Sequence, residues 1–434
     1  MTIGPALTPS ARIRAPWWVP ALTAALALAV RIVRLGTPDI YVFDEIYYVG
    51  DAASLLRSGA ERGEPAHPPL GKWLIAAGIQ TFGLNPVGWR IASALAGAAV
   101  CGVVAAIAWR LTRRTELAVL AGVLAGVDGI LFTTSRVAML DSFEALFVVL
   151  AVHACIAALA APPRAARRWH LLAAVWLGLG AAVKWSALFA VPILIAVIVV
   201  GLARAPGGRR LRGGAARLAT AGAITIGCYL AAYAPTFVAH PDRANPMSFL
   251  RGQQRLLEFH LRLTPRNTYA HPAIDWLAQR YPTGLLGQRC SPAMGSDSPV
   301  CPAGAEHDTV LAIVALANPV VWVLGILALA VLIGRLVYRF SAGPAIVAAA
   351  VALLWGPWLL TRDGYTFYAA PLVPFLILAI VLAVDLLPPR AIRWVCLVVA
   401  VAAIAAFGFF YPYWAAVPVS DGAADLRRWL PTWP

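Results

Sequence analysis

The sequence has little charge for its length. Of 434 residues, 13% are Asp, Glu, Lys or Arg, whereas 61% are hydrophobic and the mean hydropathy is +0.75. A soluble protein of this size needs far more polar surface, so the excess apolar surface must face lipid. This composition excludes a set of soluble domains and predicts one membrane domain over residues 1–434.

Acidic residues are scarce as well, with 20 Asp and Glu against 35 Lys and Arg, for a formal net charge of +15. A surplus of this size can indicate nucleic-acid binding. The arginines, however, form no single basic face and recur in short clusters between apolar runs, which is the positive-inside pattern of membrane proteins. We therefore expect a lipid bilayer and no nucleic acid as a partner.

Cysteine and histidine are also rare, with six and seven residues. Six cysteines are too few for a disulfide scaffold, and four in apolar runs are expected to pack as small hydrophobes. These four are Cys101, Cys155, Cys228 and Cys396. Cys290 and Cys301 share a polar loop and form a disulfide candidate if that loop is extracytoplasmic. His260 and His271 are isolated histidines of the kind that usually bind no metal, so no metal is expected.

Eleven stretches are long and apolar enough to be helical spans, which need about 20 residues each. They lie at 17–35, 87–111, 116–134, 139–161, 169–183, 185–203, 216–237, 309–336, 343–361, 367–387 and 391–414. The fifth and sixth are divided at Lys184, because one straight helix would be too long. With the N-terminus inside, every short inner loop is rich in arginine, and removing any one span would invert that rule for the rest of the chain.

The first apolar stretch also allows a second interpretation. Ala27 and Ala29 form an A-x-A pattern, as at the cleavage site of a signal peptide. Arg31 and Arg34 within the stretch, and the many spans that follow, favour an uncleaved first helix.

Two long segments, 36–86 and 239–308, are placed outside by this topology. The first contains Ile46–Leu56 and Leu70–Phe82, which are too short and too mixed to span a bilayer. We expect these pieces to be amphipathic helices along the membrane interface. The second segment is the large extracytoplasmic loop.

Ionisable side chains at membrane depth cost about 2.5–3.5 kcal/mol each on insertion scales, so their placement is informative. Here they gather toward the outer face. The set is Asp44, Glu45, His67, Lys72, Arg90, Asp128, Arg136, Asp141, Glu144, Lys184 and Arg362. Cations beside carboxylates suit the transfer of a sugar from a lipid phosphate. Cations hold the departing phosphate, and a carboxylate takes the proton of the attacking hydroxyl.

Each of these features also has a structural interpretation. Asp44 and Glu45 could be a solvated loop start, and Arg136 and Asp141 could form an ion pair around a tight turn. The prolines after His67 fix the backbone whatever the function.

Seven stretches, in this order, resemble the protein O-mannosyltransferases, a branch of the GT-C superfamily of membrane glycosyltransferases. They are Phe-Asp-Glu-Ile-Tyr-Tyr (43–48), His-Pro-Pro-Leu-Gly-Lys-Trp (67–73), Gly-Trp-Arg-Ile (88–91), Asp-Gly-Ile-Leu-Phe (128–132), Ser-Arg-Val-Ala-Met-Leu-Asp (135–141), Val-Lys-Trp-Ser (183–186) and Phe-Tyr-Ala-Ala-Pro-Leu-Val-Pro-Phe (367–375). Residues 239–308 match the family loosely. The chain has no room for the luminal β-trefoil domain of eukaryotic members, so we expect a bacterial form.

The resemblance implies an all-α GT-C bundle of about eleven transmembrane helices in the cytoplasmic membrane, with the active site on the extracytoplasmic side. It implies polyprenyl-phosphate mannose as donor, Ser or Thr hydroxyls of exported proteins as acceptors, and inversion at the sugar. It implies no cofactor and no metal. The secretion machinery is a candidate partner.

The resemblance also implies residue roles. Asp44 would be the general base, Glu45 would position acceptor or donor, and Arg90 would hold the donor phosphate. Four further cations would help to bind the phosphate: Lys72, Arg136, Lys184 and Arg362. Supporting roles would fall to His67, Asp128 and Asp141, the two aspartates holding the arginines in place.

Two alternatives remain open at this point. A GT-C enzyme could move another lipid-phosphate-linked sugar, such as a pentose, to a lipid or glycan. A secondary transporter is disfavoured, because transporters often have two related halves. We find no internal repeat, and the charges lie toward one face.

Overall fold

The structure is a computed structural model that describes residues 16–62, 66–203, 210–262, 269–291, 301, 308–361 and 363–434. Within these residues the chain is mainly helical. The helices are α1 Trp18–Ile32, α2 Glu45–Ser58, α3 Leu70–Phe82, α4 Pro86–Thr112, α5 Thr115–Val127, α6 Gly129–Arg136, α7 Leu140–Ala160, α8 Pro163–Ala181, α9 Val191–Ala203, α10 Arg210–Ala231, α11 Ala234–Ala239, α12 Pro246–Arg262, α13 Pro319–Tyr338, α14 Ala342–Leu359, α15 Val373–Val384, α16 Pro389–Trp414 and α17 Asp421–Asp425. The strands are β1 Thr283–Cys290, β2 Thr309–Ala315 and β3 Val419–Ser420.

Several helices have the length and composition of membrane spans, as expected for a multi-pass membrane protein. In the described part of the chain six helices qualify, or seven if the bent pair α5 and α6 is one span. They are Pro86–Thr112, Leu140–Ala160, Trp185–Ala203, Pro319–Tyr338, Ala342–Leu359 and Pro389–Trp414. Two shorter apolar helices, α1 and α15, add to this set.

Helices α4 and α7 form the centre of the bundle. α4 packs against α1, α3, α5 and α7, and α7 packs in turn against α8. α4 begins sharply because the Asn85 side chain accepts a hydrogen bond from the Gly88 amide and Pro86 occupies the first turn. Both are favourable residues at a helix start.

Two predicted span boundaries have local causes. The third predicted span is bent by 55° between α5 and α6. Asp128 lies at this bend and accepts a hydrogen bond from the Leu131 amide, so its side chain caps the new helix. The division predicted at Lys184 is confirmed, since α8 ends at Ala181 and a 3-10 helix begins at Trp185.

The all-α prediction is wrong in one region, because β1, β2 and β3 form an antiparallel sheet in that order. Thr283 pairs with Ala315 and Cys290 with Thr309. The predicted span 309–336 is corrected accordingly, since 309–315 is strand and the helix begins at Pro319. Hydropathy alone does not distinguish a short buried strand from the start of a helix.

Helices occupy both apolar pieces of 36–86, as α2 and α3; 36–86 and 239–308 are named the first and second outer segments after their predicted placement. Their position along a membrane interface stays a prediction. α2 ends at Gly59, whose φ of +68° is left-handed and suits glycine. A side chain there would collide with Ala239 of α11, so the first and second outer segments touch at this point.

Candidate active site

Asp44 and Glu45 are neighbours at the start of α2 with different surroundings. Glu45 is fully buried. Its carboxylate accepts hydrogen bonds from the amides of Val42 and Ala138 and pairs with Arg90 at 2.8 Å through both oxygens. Glu45 therefore ties the first outer segment to α4 and to the turn before α7.

Arg90 is also buried, and each N–H group of its guanidinium donates a hydrogen bond within the protein. Besides the two to Glu45, it donates to the carbonyls of Leu35, Pro38 and Ile40 at 2.9–3.2 Å. A guanidinium has five N–H donors, and five hydrogen bonds are made. In this structure Arg90 fixes the 35–40 turn, and its predicted phosphate-binding role stays a prediction.

The guanidinium of Arg136 is also hydrogen-bonded to the backbone of this protein. It donates to the carbonyls of Arg31, Val33 and Arg34 at the end of α1. It makes no ion pair with Asp141, which is bound elsewhere. In this structure Arg136 holds the end of α1, and its predicted phosphate contact stays a prediction.

Lys72 lies between two acids of the first outer segment. Its ammonium is 3.2 Å from Asp51 and 2.5 Å from Glu61, and the side chain is 1% exposed. The amide of Arg62 also donates to Asp51. These contacts connect α2, and the residues that directly follow it, to α3. Lys72 therefore also has a structural role here.

Asp128 is held by backbone amides in this structure, and its predicted role of holding an arginine stays a prediction. Its carboxylate accepts from the amides of Leu131 and Asn318. Since Asn318 precedes α13, these bonds connect the α5–α6 bend to the start of that helix.

Asp44 has a more open environment. It is half-buried and accepts one hydrogen bond, at 3.1 Å from the Tyr48 hydroxyl one turn later on α2. Burial raises the pKa of Asp44 to about 6; the Tyr48 bond lowers this pKa, Asp141 raises it and Lys184 lowers it. The pKa of Tyr48 is raised by burial, so the phenol stays protonated and donates. A carboxylate with such a pKa is suited to accept a proton near neutral pH.

Lys184 supplies a cation whose charge lowers the pKa of Asp44. Its ammonium is 2.8 Å from Asp141 and 3.8 Å from Glu144, and it lies 4.5 Å from the centre of the Tyr368 ring. Ser186 donates to Glu144 at 2.5 Å. The structure therefore groups Asp141 and Lys184 near Asp44, whereas Glu45 and Arg90 form a separate pair.

A row of aromatic rings extends from Tyr48, the hydrogen-bond partner of Asp44. The His67 ring is 6.2 Å from Tyr48 and 5.2 Å from His260, and His260 is 6.4 Å from Trp185. α12 thereby brings His260 of the second outer segment to His67 of the first. His271 lies elsewhere, stacked on Tyr281.

The backbone before Asp44 is held in an uncommon conformation. Phe43 has a φ of +51°, which a non-glycine residue rarely adopts. Its ring contacts Tyr365 and Phe367 edge to face at 5.7 and 5.6 Å. These residues pack with Leu285 of β1. The sheet and the 365–368 turn thus fix the position of Asp44.

Three remaining predictions concern the periphery. Cys290 and Cys301 are joined in a disulfide at the end of β1. Arg362 lies outside the described residues. Within the described part of the chain, no group of three or more His, Cys, Asp or Glu side chains is arranged to hold a metal ion.

Sequence reasoning gave no role in the site to two buried polar residues, Tyr48 and Arg31. Tyr48 lies four residues after Asp44, which is the spacing of neighbours on a helix, so the helix predicted from Ile46 was the available signal. Arg31 was used only as evidence against a cleaved signal peptide, yet it is fully buried and donates to Ser135 at 2.8 Å.

Known proteins resemble this chain over most of its length. The model of the dolichyl-phosphate-mannose-protein mannosyltransferase family matches residues 21–238. The polyprenol-phosphate-mannose–protein mannosyltransferase of Mycolicibacterium smegmatis is 30% identical, with 96% of this chain and 93% of that protein aligned. The Mycobacterium tuberculosis protein of the same name is also 30% identical, over 96% and 92%.

Solved structures share the fold. The Saccharomyces cerevisiae protein O-mannosyltransferase Pmt1-Pmt2 complex bound to the sugar donor matches with a TM-score of 0.83 at 13% identity, over 97% of this chain and 93% of that chain. ArnT from Cupriavidus metallidurans bound to undecaprenyl phosphate matches with a TM-score of 0.61 at 17% identity, over 92% and 65%. The resemblance read from the sequence motifs is confirmed, and the chain belongs to the dolichyl-phosphate-mannose-protein mannosyltransferase family.

Proposed function

We propose that this enzyme transfers mannose from polyprenyl-phosphate mannose to Ser or Thr hydroxyls of exported proteins, with inversion at the sugar. Family membership supports the donor and the acceptor class, since relatives aligned over 96% of the chain are named for this reaction. The observation that carries the mechanism is the half-buried Asp44, whose pKa is raised to about 6, beside the Lys184 ammonium.

In the proposed step, Asp44 is the general base. The acceptor hydroxyl attacks the anomeric carbon and gives its proton to the Asp44 carboxylate. The bond between that carbon and the phosphate oxygen breaks, and polyprenyl phosphate leaves with the electron pair. Tyr48 orients Asp44 through its hydrogen bond, and proton transfer to a positioned base typically contributes about 10²–10⁴-fold to the rate.

Lys184 is the proposed contact for the departing phosphate. An ammonium has three N–H donors, and the bond to Asp141 uses one of them. Asp141 and Glu144 therefore fix the cation while leaving it able to bind a further anion. We assign the scaffold role to Glu45, Arg90 and Arg136, whose charged groups already bind the protein itself.

The proposed topology has eleven spans in the cytoplasmic membrane, with 36–86 and 239–308 outside. The helices α8 and α10 occupy the fifth and seventh predicted spans. The secretion machinery stays a candidate partner because acceptors would arrive as unfolded exported chains. Transfer without a metal is also part of the proposal.

Membranes containing the enzyme, incubated with polyprenyl-phosphate mannose labelled in the sugar, test this proposal. Label should appear in protein and be released from Ser or Thr by β-elimination. Label in lipid or glycan, with none in protein, would refute the assigned acceptor. A preference for a labelled polyprenyl-phosphate pentose would refute the donor.

A further inference from the structure

Helix α12 in the second outer segment has three distinct sides. One side packs on the protein through Phe249, Gln253, Leu256 and His260, which are spaced by three or four residues as neighbours on one helix face are. Gln253 bonds to the hydroxyls of Tyr229 and Tyr233 near the end of α10. α12 is thus anchored to the bundle along one face.

A second side is apolar and exposed. Met247, Leu250, Leu257 and Leu261 are 56%, 58%, 47% and 75% exposed. At 100° per residue these four project within about 80° of one another, so they form one largely apolar stripe, which also includes the exposed Gln254. Four large apolar side chains on one exposed stripe favour an apolar partner.

A third side is mainly basic, and Glu258, which lies between it and the stripe, pairs with Arg262 at 3.9 Å. Arg251, Arg255 and Arg262 follow one another at helical spacing on this side. Ser248, which is exposed, lies beyond the arginines and away from the stripe. An apolar stripe bordered by basic residues is the pattern of helices that lie in a membrane interface.

Exposed apolar side chains continue from α12 onto the two helices that precede it in the chain, α11 and α10. Val238 of α11 is 82% exposed, and Leu230 and Ile226 of α10 are 39% and 60% exposed. α10 is a proposed span, and α11 leads from it toward α12. This continuity favours the bilayer over a protein partner.

We propose that α12 docks on the outer leaflet, with its apolar stripe among the acyl chains and its arginines beside anionic headgroups. This inference rests on the outer placement of residues 239–308 in the proposed function. Docking would hold His260, and with it one wall of the candidate active site, at the leaflet from which a lipid-linked donor arrives.

The depth of a fluorescent probe tests the docking. Leu257→Cys and the matched control Ser248→Cys are labelled with an NBD fluorophore, with the unsubstituted protein as the measure of background labelling. Both are reconstituted in vesicles of phosphatidylcholine and phosphatidylglycerol. Doxyl-labelled lipid should quench the probe at 257 several-fold more strongly than the probe at 248, with a blue-shifted emission at 257. Equal quenching would overturn the proposal.

The headgroup contact has its own test. Combined Arg251→Gln and Arg262→Gln changes should reduce quenching at 257 in phosphatidylglycerol vesicles to its value in phosphatidylcholine alone. The control Arg289→Gln, at an exposed arginine of β1, should leave quenching unchanged. The anionic contact is refuted if quenching at 257 changes neither with phosphatidylglycerol nor with the combined Arg251→Gln and Arg262→Gln changes.

Mannose transfer is measured on the same vesicles. A probe at 257 that stays in water while transfer is intact refutes the docking and leaves the proposed function standing. If the unsubstituted protein in these vesicles transfers no mannose, the proposed function is refuted instead.

Discussion

Asp44 and Glu45 differ by one position and by almost everything that surrounds them. Glu45 is fully buried, and its carboxylate is bound by two amides and Arg90. Asp44 is half-buried, accepts one hydrogen bond in the described structure and has a pKa raised to about 6 by burial. The comparison teaches that a charged group with every partner supplied builds the scaffold, whereas a carboxylate left partly unsatisfied can take part in proton transfer.

The largest effect is expected from Asp44→Asn, which keeps the shape and removes the base. Transfer should fall by about 10²–10⁴-fold. The unfolding temperature in detergent should not fall, because no ion pair is lost. The exposed neighbour Asp39 supplies the control, since Asp39→Asn should retain activity. Near-normal transfer by Asp44→Asn would remove Asp44 from its assigned role.

The opposite outcome is expected one residue later. Glu45→Gln leaves the buried Arg90 charge uncompensated and should destabilise the protein by ~3–5 kcal/mol. Thermal unfolding measures this loss, and activity should fall in proportion to folded protein. Glu116→Gln is the control, because its ion pair with Arg114 is partly exposed and should contribute about 0–1 kcal/mol. An unchanged unfolding temperature for Glu45→Gln would contradict the scaffold role.

The two buried lysines give a third comparison. Lys184→Gln should lower kcat/KM for the donor by about 10–100-fold, the value of one charge-assisted hydrogen bond. Lys72→Gln also removes a buried lysine from between two acids, yet it should lower stability without changing the KM for the donor. Steady-state kinetics on the folded fraction of each variant separate the two. Equal donor kinetics in both variants would place the phosphate elsewhere.

A smaller effect is expected at Tyr48. The base must be deprotonated to act, so transfer should decline as the pH falls through about 6, the pKa of Asp44. The hydrogen bond from Tyr48 lowers this pKa. Tyr48→Phe should therefore move the decline upward, by about one pH unit for a loss of ~1.4 kcal/mol. Tyr47→Phe, at the exposed neighbouring ring, should leave the pH profile unchanged. A profile shifted downward in Tyr48→Phe would contradict the assigned hydrogen bond.

Most of the fold could be predicted from the sequence because lipid imposes a simple length rule on helices. The predicted span start at 87, next to the observed helix start at Pro86, and the division at Lys184 followed from apolar length. The sheet could not be predicted in this way. Residues 309–315 are as apolar as a helix start, and their strand conformation depends on pairing with 283–290, a partner distant in the chain.

The candidate site was only partly predictable, for a related reason. The motifs identified the charged residues, but a sequence does not show which cation meets which anion. Arg90 looks like a phosphate ligand until its five hydrogen bonds to Glu45 and the 35–40 turn are known. Lys184 was one of four cations given the same auxiliary role, and its place near Asp44 arises from the break between α8 and the 3-10 helix at Trp185.

The position of the lipid phosphate tests the central comparison most directly. A structure of the enzyme with polyprenyl phosphate bound should place a phosphate oxygen within hydrogen-bonding distance of the Lys184 ammonium. Arg90 should remain paired with Glu45, and Asp44 should face the phosphate. A phosphate bound to Arg90, with the bond to Glu45 broken, would contradict the division between scaffold and chemistry.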